Sequence, residues 1–163
     1  MRARLVGLCC LAATGCAAFQ PAMLGVPPGQ RAVLGRVELT GLATPEGVID
    51  IQKVDGTFGY ELSIVLGRSE FAIALPPGAY RIARLRAFRY QKTVPDETIW
   101  DLRLTFEVGP DPATYVGTLR IDVRFAQDTR VWVKDEYEDT LRALRARYGD
   151  LPPSAARRLM TPA

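Results

Sequence analysis

Apolar and polar residues alternate with a period of two along most of the chain from Arg31 onward. Successive side chains of a β-strand point to opposite faces, so this alternation predicts strands that each bury one face. The alternating segments are 33–39, 48–54, 58–66, 71–75, 80–88, 100–108, 115–125 and, more briefly, 130–133. Short strands separated by turn residues are typical of two packed sheets. We therefore predict a mainly β chain, with a single antiparallel β-sandwich of about 7–8 strands over residues 31–134.

The stretch from Phe71 to Ile82 is central to this pattern, because a tight-turn sequence separates two alternating runs. It is Phe-Ala-Ile-Ala-Leu-Pro-Pro-Gly-Ala-Tyr-Arg-Ile. Proline pre-sets φ at the first central position of a turn, and glycine accepts the positive φ that a type II turn needs next. Pro77 and Gly78 therefore predict a hairpin that returns Tyr80 to the face of Phe71. A weaker echo around residues 109–112 predicts a second hairpin.

The motif Phe-x-Ile-x-Leu-Pro-Pro-Gly-x-Tyr-x-Ile resembles a hairpin of the carboxypeptidase-regulatory and transthyretin-like β-sandwich modules of bacterial surface lipoproteins. The resemblance covers roughly twenty residues and implies an immunoglobulin-like or transthyretin-like sandwich. It also implies a role in display, adhesion or ligand contact. It supplies no catalytic residues.

The chain changes character at both ends of the strand region. Residues 89–98 are polar and predict a long connection between strands. Residues 135–149 predict a helix packed on the sandwich, because apolar residues recur at helical spacing on one stripe. The members of that stripe are Tyr137, Leu141, Leu144 and Tyr148. The alternative is a helix that binds a partner protein. Residues 150–163 are expected to form a tail.

The N-terminus has the features of an export signal. Arg2 and Arg4 precede a short apolar run, and small residues then lead to Cys16. The tetrapeptide Ala13-Thr14-Gly15-Cys16 resembles a bacterial lipobox. The resemblance implies a lipoprotein signal peptide at 1–15, cleavage before Cys16 and acylation of Cys16. The alternative is ordinary secretion with cleavage near Ala18.

Residues 16–30 are expected to be a tether between the lipid and the domain, since 17–30 are rich in Pro, Gly and Ala. The alternative is an arm packed on the sheet. The chain has three cysteines, and two of them, Cys9 and Cys10, lie within the predicted signal peptide. The mature chain would retain Cys16 alone, so no intramolecular disulfide is expected.

The net charge and the absence of histidine argue against several classes of function. The predicted signal peptide contains two of the 21 basic residues and none of the 18 acidic ones, so its removal lowers the formal charge of +3 by two. The remaining balance gives no reason to expect a nucleic-acid partner. The chain has no histidine, which excludes histidine-assisted nucleophiles and the usual zinc sites. We expect no catalytic residues, no cofactor and no metal site.

The candidate contact patch is the arginine-rich run formed by Arg81, Arg84, Arg86 and Arg89, with Tyr90 beside it. Arginine binds phosphate and carboxylate groups through a planar fork, and it stacks on aromatic rings. The patch could therefore contact an anionic envelope polymer or a protein. The alternative is a polar face that discourages aggregation. Asp96, Glu97 and Asp101 are the best candidates for a catalytic carboxylate pair, and the alternative is that they belong to a solvated loop.

These observations predict a lipid-anchored envelope protein whose domain is a non-catalytic structural or protein-interaction module. Its expected partners are the membrane, through the lipid, and another envelope protein. Ala17 after the lipid-bearing cysteine resembles the signal for outer-membrane sorting, so for a Gram-negative source we expect the periplasmic side of the outer membrane. The alternative function is a binding module for a small ligand, a glycan or an anionic envelope polymer. An enzyme is the third possibility.

Overall fold

The computed structural model describes residues 23–91, 94–125 and 128–163. It is mainly β with one helix, which confirms the fold class that the alternating pattern predicts. The strands are β1 (Arg31–Thr40), β2 (Glu46–Lys53), β3 (Gly59–Val65), β4 (Gly67–Leu75), β5 (Gly78–Gln91), β6 (Val94–Val108), β7 (Ala113–Phe125), β8 (Asp128–Lys134), β9 (Ala156–Arg157) and β10 (Thr161–Pro162). The helix is α1 (Tyr137–Arg147).

The strands form two sheets. The first has the order β4-β1-β7-β8, with β9 beside the start of β7, and the second has the order β10-β6-β5-β2-β3. The purely antiparallel prediction is wrong, because β1 pairs with β7 in parallel and so does β9. Five strands separate β1 from β7 in the chain, so no tight hairpin turn forces this pair to be antiparallel. Within the same sheet, β4 is antiparallel to β1 and β8 is antiparallel to β7.

One core joins the two sheets. Its fully buried side chains include Val37 and Leu119 from the first sheet and Ile49, Leu85 and Tyr80 from the second. Because both sheets contribute to the same cluster, they face each other across it. Burying apolar surface at about 25 cal/mol per Å² makes this core the main source of stability.

The helix α1 covers the opposite, outer face of the first sheet. Leu141 and Leu144 are buried there in a second, separate cluster with Ala32, Leu34, Ala72 and Ala113, which we call the helix core. The helical stripe is thus buried against a sheet, as predicted, but outside the space between the sheets. No helix in the described part of the chain is long and apolar enough to cross a bilayer.

The hairpin predicted at Pro76–Gly78 is wrong. β4 lies beside β1 in the first sheet, whereas β5 lies between β6 and β2 in the second. Two consecutive prolines lack the N–H groups that a strand ladder needs, so the chain leaves one sheet here and enters the other. Phe71 and Tyr80 are both buried in the shared core, but they belong to opposite sheets.

The second predicted hairpin is wrong for the same reason. β6 belongs to the second sheet and β7 to the first, so the Pro-rich residues 109–112 also form a crossing between sheets. The antiparallel pairs that are adjacent in the chain are instead β2–β3, β5–β6 and β7–β8.

The long connection predicted at 89–98 is also replaced by strands. β5 continues to Gln91 and β6 begins at Val94, and Arg89 pairs with Asp96 in register. Polar composition indicated a loop, but it is equally compatible with a two-stranded ribbon that projects beyond its neighbours. The last β5 residue paired with β2 is Arg86, so the ribbon extends past the body of the sheet.

The C-terminal segment is built into both sheets. β9 pairs with β7, β10 pairs with β6, and Met160 between them is buried in the shared core. The N-terminal segment contacts the domain near the end of α1. Leu24 packs against the helix core, and its backbone N–H donates to Asp150 Oδ1 at 2.8 Å. The predicted tether is therefore attached at Leu24, whereas residue 23 and residues 25–29 are exposed.

Candidate functional site

The arginines of β5 lie on the outer face of the second sheet because of a β-bulge. Residues three apart in a regular strand point to opposite faces, which would separate Arg81 from Arg84. The register to β2 shifts between Ile82 and Arg84, so Ala83 is an extra residue in β5. Ile82 and Leu85 consequently both face the core, and Arg81, Arg84 and Arg86 share the outer face. We call this surface the arginine face.

A second irregularity lies on the neighbouring strand. Between the pairs Ile82–Leu104 and Arg84–Asp101, β6 contributes Leu102 and Arg103 opposite Ala83 alone. Arg103 has a positive φ of 51°, a conformation that costs a residue with a side chain about 1–3 kcal/mol. The bulge thus lies next to Arg81 and Arg84.

Asp50 is the centre of the arginine face. It is 8% exposed and lies on β2 opposite Arg84. Its Oδ2 accepts a hydrogen bond from Arg84 Nε at 2.7 Å, and its Oδ1 accepts one from Arg86 Nη2 at 2.8 Å. The hydrogen bonds that Arg86 donates to Asp50 raise the pKa of Arg86 above its ordinary value. One nearly buried carboxylate therefore holds two guanidinium groups in place.

Further contacts of Arg86 with carboxylates offset the positive charge of the arginine face, and Arg81 is hydrogen-bonded. Arg86 Nη2 also lies 2.5 Å from Glu61 Oε1, and Arg86 Nη1 lies 3.6 Å from Glu97 Oε1. Arg81 donates to Gln52 Oε1 at 2.7 Å. Three arginines and three carboxylates thus share this surface. The arrangement suits hydrogen bonding to a neutral polar group better than attraction of a polyanion.

A shallow groove of about 490 Å³ follows the face. Its walls include the partly buried Tyr60 ring and Ile99, which is 46% exposed, beside the Asp50–Arg84–Arg86 cluster. Most of the lining is polar or charged, so the groove offers fixed hydrogen-bonding groups with a smaller apolar contribution from Tyr60 and Ile99. The groove is open, so it can hold part of a ligand or a protein side chain.

Only part of the predicted patch can be placed. Arg81, Arg84 and Arg86 come together as expected. Arg89 and Tyr90 continue β5 in register with Asp96 and Pro95, and their side chains lie outside the described part of the structure. Cys16 also lies outside the described residues.

Two of the three acidic catalytic candidates, Glu97 and Asp101, are engaged separately, and the side chain of Asp96 lies outside the described part of the structure. Glu97 pairs with Arg86, and Asp101 lies 3.8 Å from Arg103. The described residues also contain no group of three or more His, Cys, Asp and Glu side chains arranged to hold a metal ion.

A second charged cluster, around Arg36, was not predicted from the sequence. Arg36 on β1 is only 1% exposed, and it lies between the first sheet and the start of α1. Its Nη1 donates to Glu136 Oε2 at 2.9 Å, and its Nε donates to Glu70 Oε1 at 3.1 Å. Arg36 alternates with the core residues of β1, so the sequence pattern alone predicts that its side chain is exposed to solvent. The helix covers it instead.

Glu136 receives most of the donors in this cluster. Thr118 and Arg120 donate to its two carboxylate oxygens, each at 3.0 Å, and its backbone N–H donates to Tyr115 Oη at 2.8 Å. Burial alone would raise the pKa of Glu136, but the hydrogen bonds from Thr118 and Arg36 and the charge of Arg120 outweigh it and lower the pKa. The cluster therefore attaches the N-terminus of α1 to the sheet.

Comparison with known proteins adds little to this geometry. No known protein-family profile matches the chain, and no curated protein matches it. One solved structure to which it is similar is a leucine-rich repeat protein from Bacteroides thetaiotaomicron, with 17% identity and a TM-score of 0.39. The match covers 75% of this chain and 16% of that one, so the chain spans about a sixth of that protein's length.

Proposed function

We propose that this chain is a lipid-anchored protein of the bacterial cell envelope, attached through Cys16, whose β domain is a non-catalytic structural or protein-interaction module. The observation that carries the proposal is the N-terminal sequence. Basic residues, a short apolar run and Ala13-Thr14-Gly15-Cys16 occur in the order of a lipoprotein signal. Cys16 is also the last cysteine of the chain.

The architecture supports a contact role for the domain. Two sheets share one core, and Pro-rich crossings connect them. We assign this arrangement to the immunoglobulin-like or transthyretin-like sandwiches, with the parallel β1–β7 pair as a departure from the purely antiparallel form. The guanidinium groups of Arg84 and Arg86 are held by ion pairs to Asp50, which makes the arginine face a rigid surface feature suited to recognition.

Metabolic labelling with a fatty-acid analogue tests the anchor. The wild-type protein should be labelled and should sediment with membranes, whereas Cys16→Ser should be unlabelled. Ala17→Ser is the matched control, since it changes a neighbouring small residue and keeps the acceptor thiol. Label that survives Cys16→Ser would refute the attachment site.

Membrane separation tests the proposed address in a Gram-negative host. The wild-type protein should fractionate with the outer membrane, and Ala17→Asp should shift it to the inner membrane. Recovery of the wild-type protein with the inner membrane would refute the outer-membrane assignment and leave the lipid anchor intact.

The groove on the arginine face favours a second candidate function, a binding module for a small ligand or a glycan. Its fixed guanidinium groups and exposed Ile99 are the specific observation. Titration with neutral oligosaccharides and with polyphosphate, followed by amide NMR shifts, distinguishes the ligand classes. Shifts confined to β2 and β5 that disappear in Arg84→Gln would support the binding module. Shifts spread over the whole surface would contradict it.

A further inference from the structure

The N-terminal segment enters the domain beside the end of α1. Leu24 and Gly25 donate their backbone N–H groups to the two carboxylate oxygens of Asp150, at 2.8 and 3.2 Å. These two hydrogen bonds lower the pKa of Asp150. The Leu24 and Tyr148 side chains both pack against the helix core. Met23 therefore emerges next to the C-terminal end of α1.

The number of residues between Cys16 and Met23 limits the distance between the lipid and the helix end. Seven residue steps separate Cys16 from Met23. A fully extended chain spans at most about 3.6 Å per residue, so these steps reach about 25 Å at most. The fourteen residues of β5 are roughly 46 Å long at 3.3 Å per residue. The possible separation between the lipid and the helix end is thus shorter than the domain itself.

The start and direction of β5 identify the opposite end of the domain. β5 starts at Gly78, three residues after Leu75, and Leu75 pairs with Arg31 at the beginning of β1. It then runs the length of the second sheet to Gln91. The Gln91–Val94 end of the β5–β6 ribbon therefore lies remote from the beginning of β1, where Ala32 belongs to the helix core that Leu24 contacts.

The surface beside Met23 carries two arginines and the single carboxylate of Asp150, so it has a positive balance. Arg145 and Arg147, in the last turn of α1, are exposed, and neither has a carboxylate within 4.0 Å in the described part of the chain. Arg145 donates to the Pro153 carbonyl, and Arg147 lies over the Tyr148 ring. Met23 itself is 69% exposed. We call this set the helix-end surface.

We propose that the helix-end surface rests on anionic phospholipid headgroups and that the β5–β6 ribbon points away from the membrane. This inference deepens the proposed function and rests on acylation of Cys16. Arginine near an anionic surface is attracted to it, by about fivefold in affinity for each residue, within roughly a Debye length of 10 Å. The short chain to Cys16 brings Arg145 and Arg147 to the headgroups.

Fluorescence quenching measured on the full mature lipoprotein tests the orientation. Because Cys16 would be acylated, a thiol label reacts only with an added cysteine. Ala146→Cys places the label between Arg145 and Arg147, and Ile99→Cys places it on the exposed outer face of β6. Each labelled protein is incorporated into vesicles of phosphatidylcholine, with or without phosphatidylglycerol, that contain a headgroup-attached quencher.

We expect several-fold stronger quenching at residue 146 than at residue 99 in vesicles containing phosphatidylglycerol. High salt should reduce the difference, and so should Arg145→Gln combined with Arg147→Gln. Arg142→Gln is the matched control, because the Arg142 charge is already offset by Asp139 at 3.0 Å. It should leave the quenching unchanged.

Two outcomes would overturn the inference in distinguishable ways. Equal quenching at both residues in a protein that floats with the vesicles refutes the orientation and leaves the lipid anchor intact. An unacylated protein that does not float refutes the proposed function and this inference together. Quenching at residue 146 that is indifferent to phosphatidylglycerol refutes the role of anionic headgroups.

Discussion

Asp50 places a nearly buried carboxylate between two guanidinium groups, 2.7 Å from Arg84 Nε and 2.8 Å from Arg86 Nη2. Asp50→Asn removes that charge and leaves two cations facing a neutral amide. We expect the free energy of unfolding to fall by about 1–3 kcal/mol, measured by urea denaturation. Glu61→Gln is the control, since Glu61 is 70% exposed and its loss should cost less than about 1 kcal/mol. Equal effects of the two substitutions would contradict a central role for Asp50.

The charged cluster under α1 makes stability depend on pH. The pKa values of Glu136 and Glu70 both lie below the ordinary 4.5 in the folded protein. A carboxylate whose pKa is lowered by folding stabilises the protein above its unfolded pKa and loses that contribution as the pH falls through the folded value. Stability should therefore decrease as the pH falls below about 4.5.

Glu136→Gln tests this dependence. The variant should be less stable at neutral pH and should lose less stability on acidification than the wild-type protein. Glu138→Gln is a suitable comparison, because Glu138 is 76% exposed and lies 3.5 Å from Arg157. If Glu136→Gln and the wild-type protein have parallel profiles in acid, Glu136 does not contribute to the pH dependence.

Among the structural elements, the crossing from β4 to β5 depends on Gly78. Its φ is +144°, and an added Cβ would lie 2.6 Å from Lys53 Cε. Gly78→Val should lower the free energy of unfolding by about 1–3 kcal/mol, because a branched side chain is strained at this φ. Gly59→Val is the matched control, since its Cβ would meet nothing within 4 Å. Thermal denaturation should show a lower midpoint for the first variant only.

The helix α1 depends on its buried stripe. Leu141 is 2% exposed in the helix core, and truncation would leave a cavity between helix and sheet. Leu141→Ala should cost about 2–5 kcal/mol. Arg142→Ala, on the neighbouring exposed position, should change stability by no more than about 0.5 kcal/mol. An unchanged melting curve for Leu141→Ala would indicate that the helix does not pack on the sheet in solution.

At the scale of the whole molecule, alternation predicted which residues are buried but not which strands are neighbours. Phe71 and Tyr80 are buried as their spacing indicates, yet they belong to opposite sheets. Burial depends on the local pattern, whereas pairing depends on how the Pro-rich connections direct the chain. The parallel pairing of β1 with β7 joins residues about eighty positions apart and leaves no local signal.

The candidate site, like the fold, could be predicted only in part from the sequence. The cluster of arginines on β5 could be predicted, because so many arginines within a short stretch of sequence are unusual. The extra residue Ala83 that places Arg81 and Arg84 on one face was not visible, and neither was the pairing with Asp50. Arg36 was overlooked because the helix that covers it comes a hundred residues later.

The mass of the mature N-terminus tests the central claim most directly. Protein extracted from membranes should be digested, and its N-terminal peptide should be analysed by mass spectrometry. A lipid-anchored protein predicts a peptide that begins at Cys16 and carries a thioether-linked diacylglyceryl group. A peptide that begins at another residue, or that contains Cys16 with a free thiol, would contradict the account.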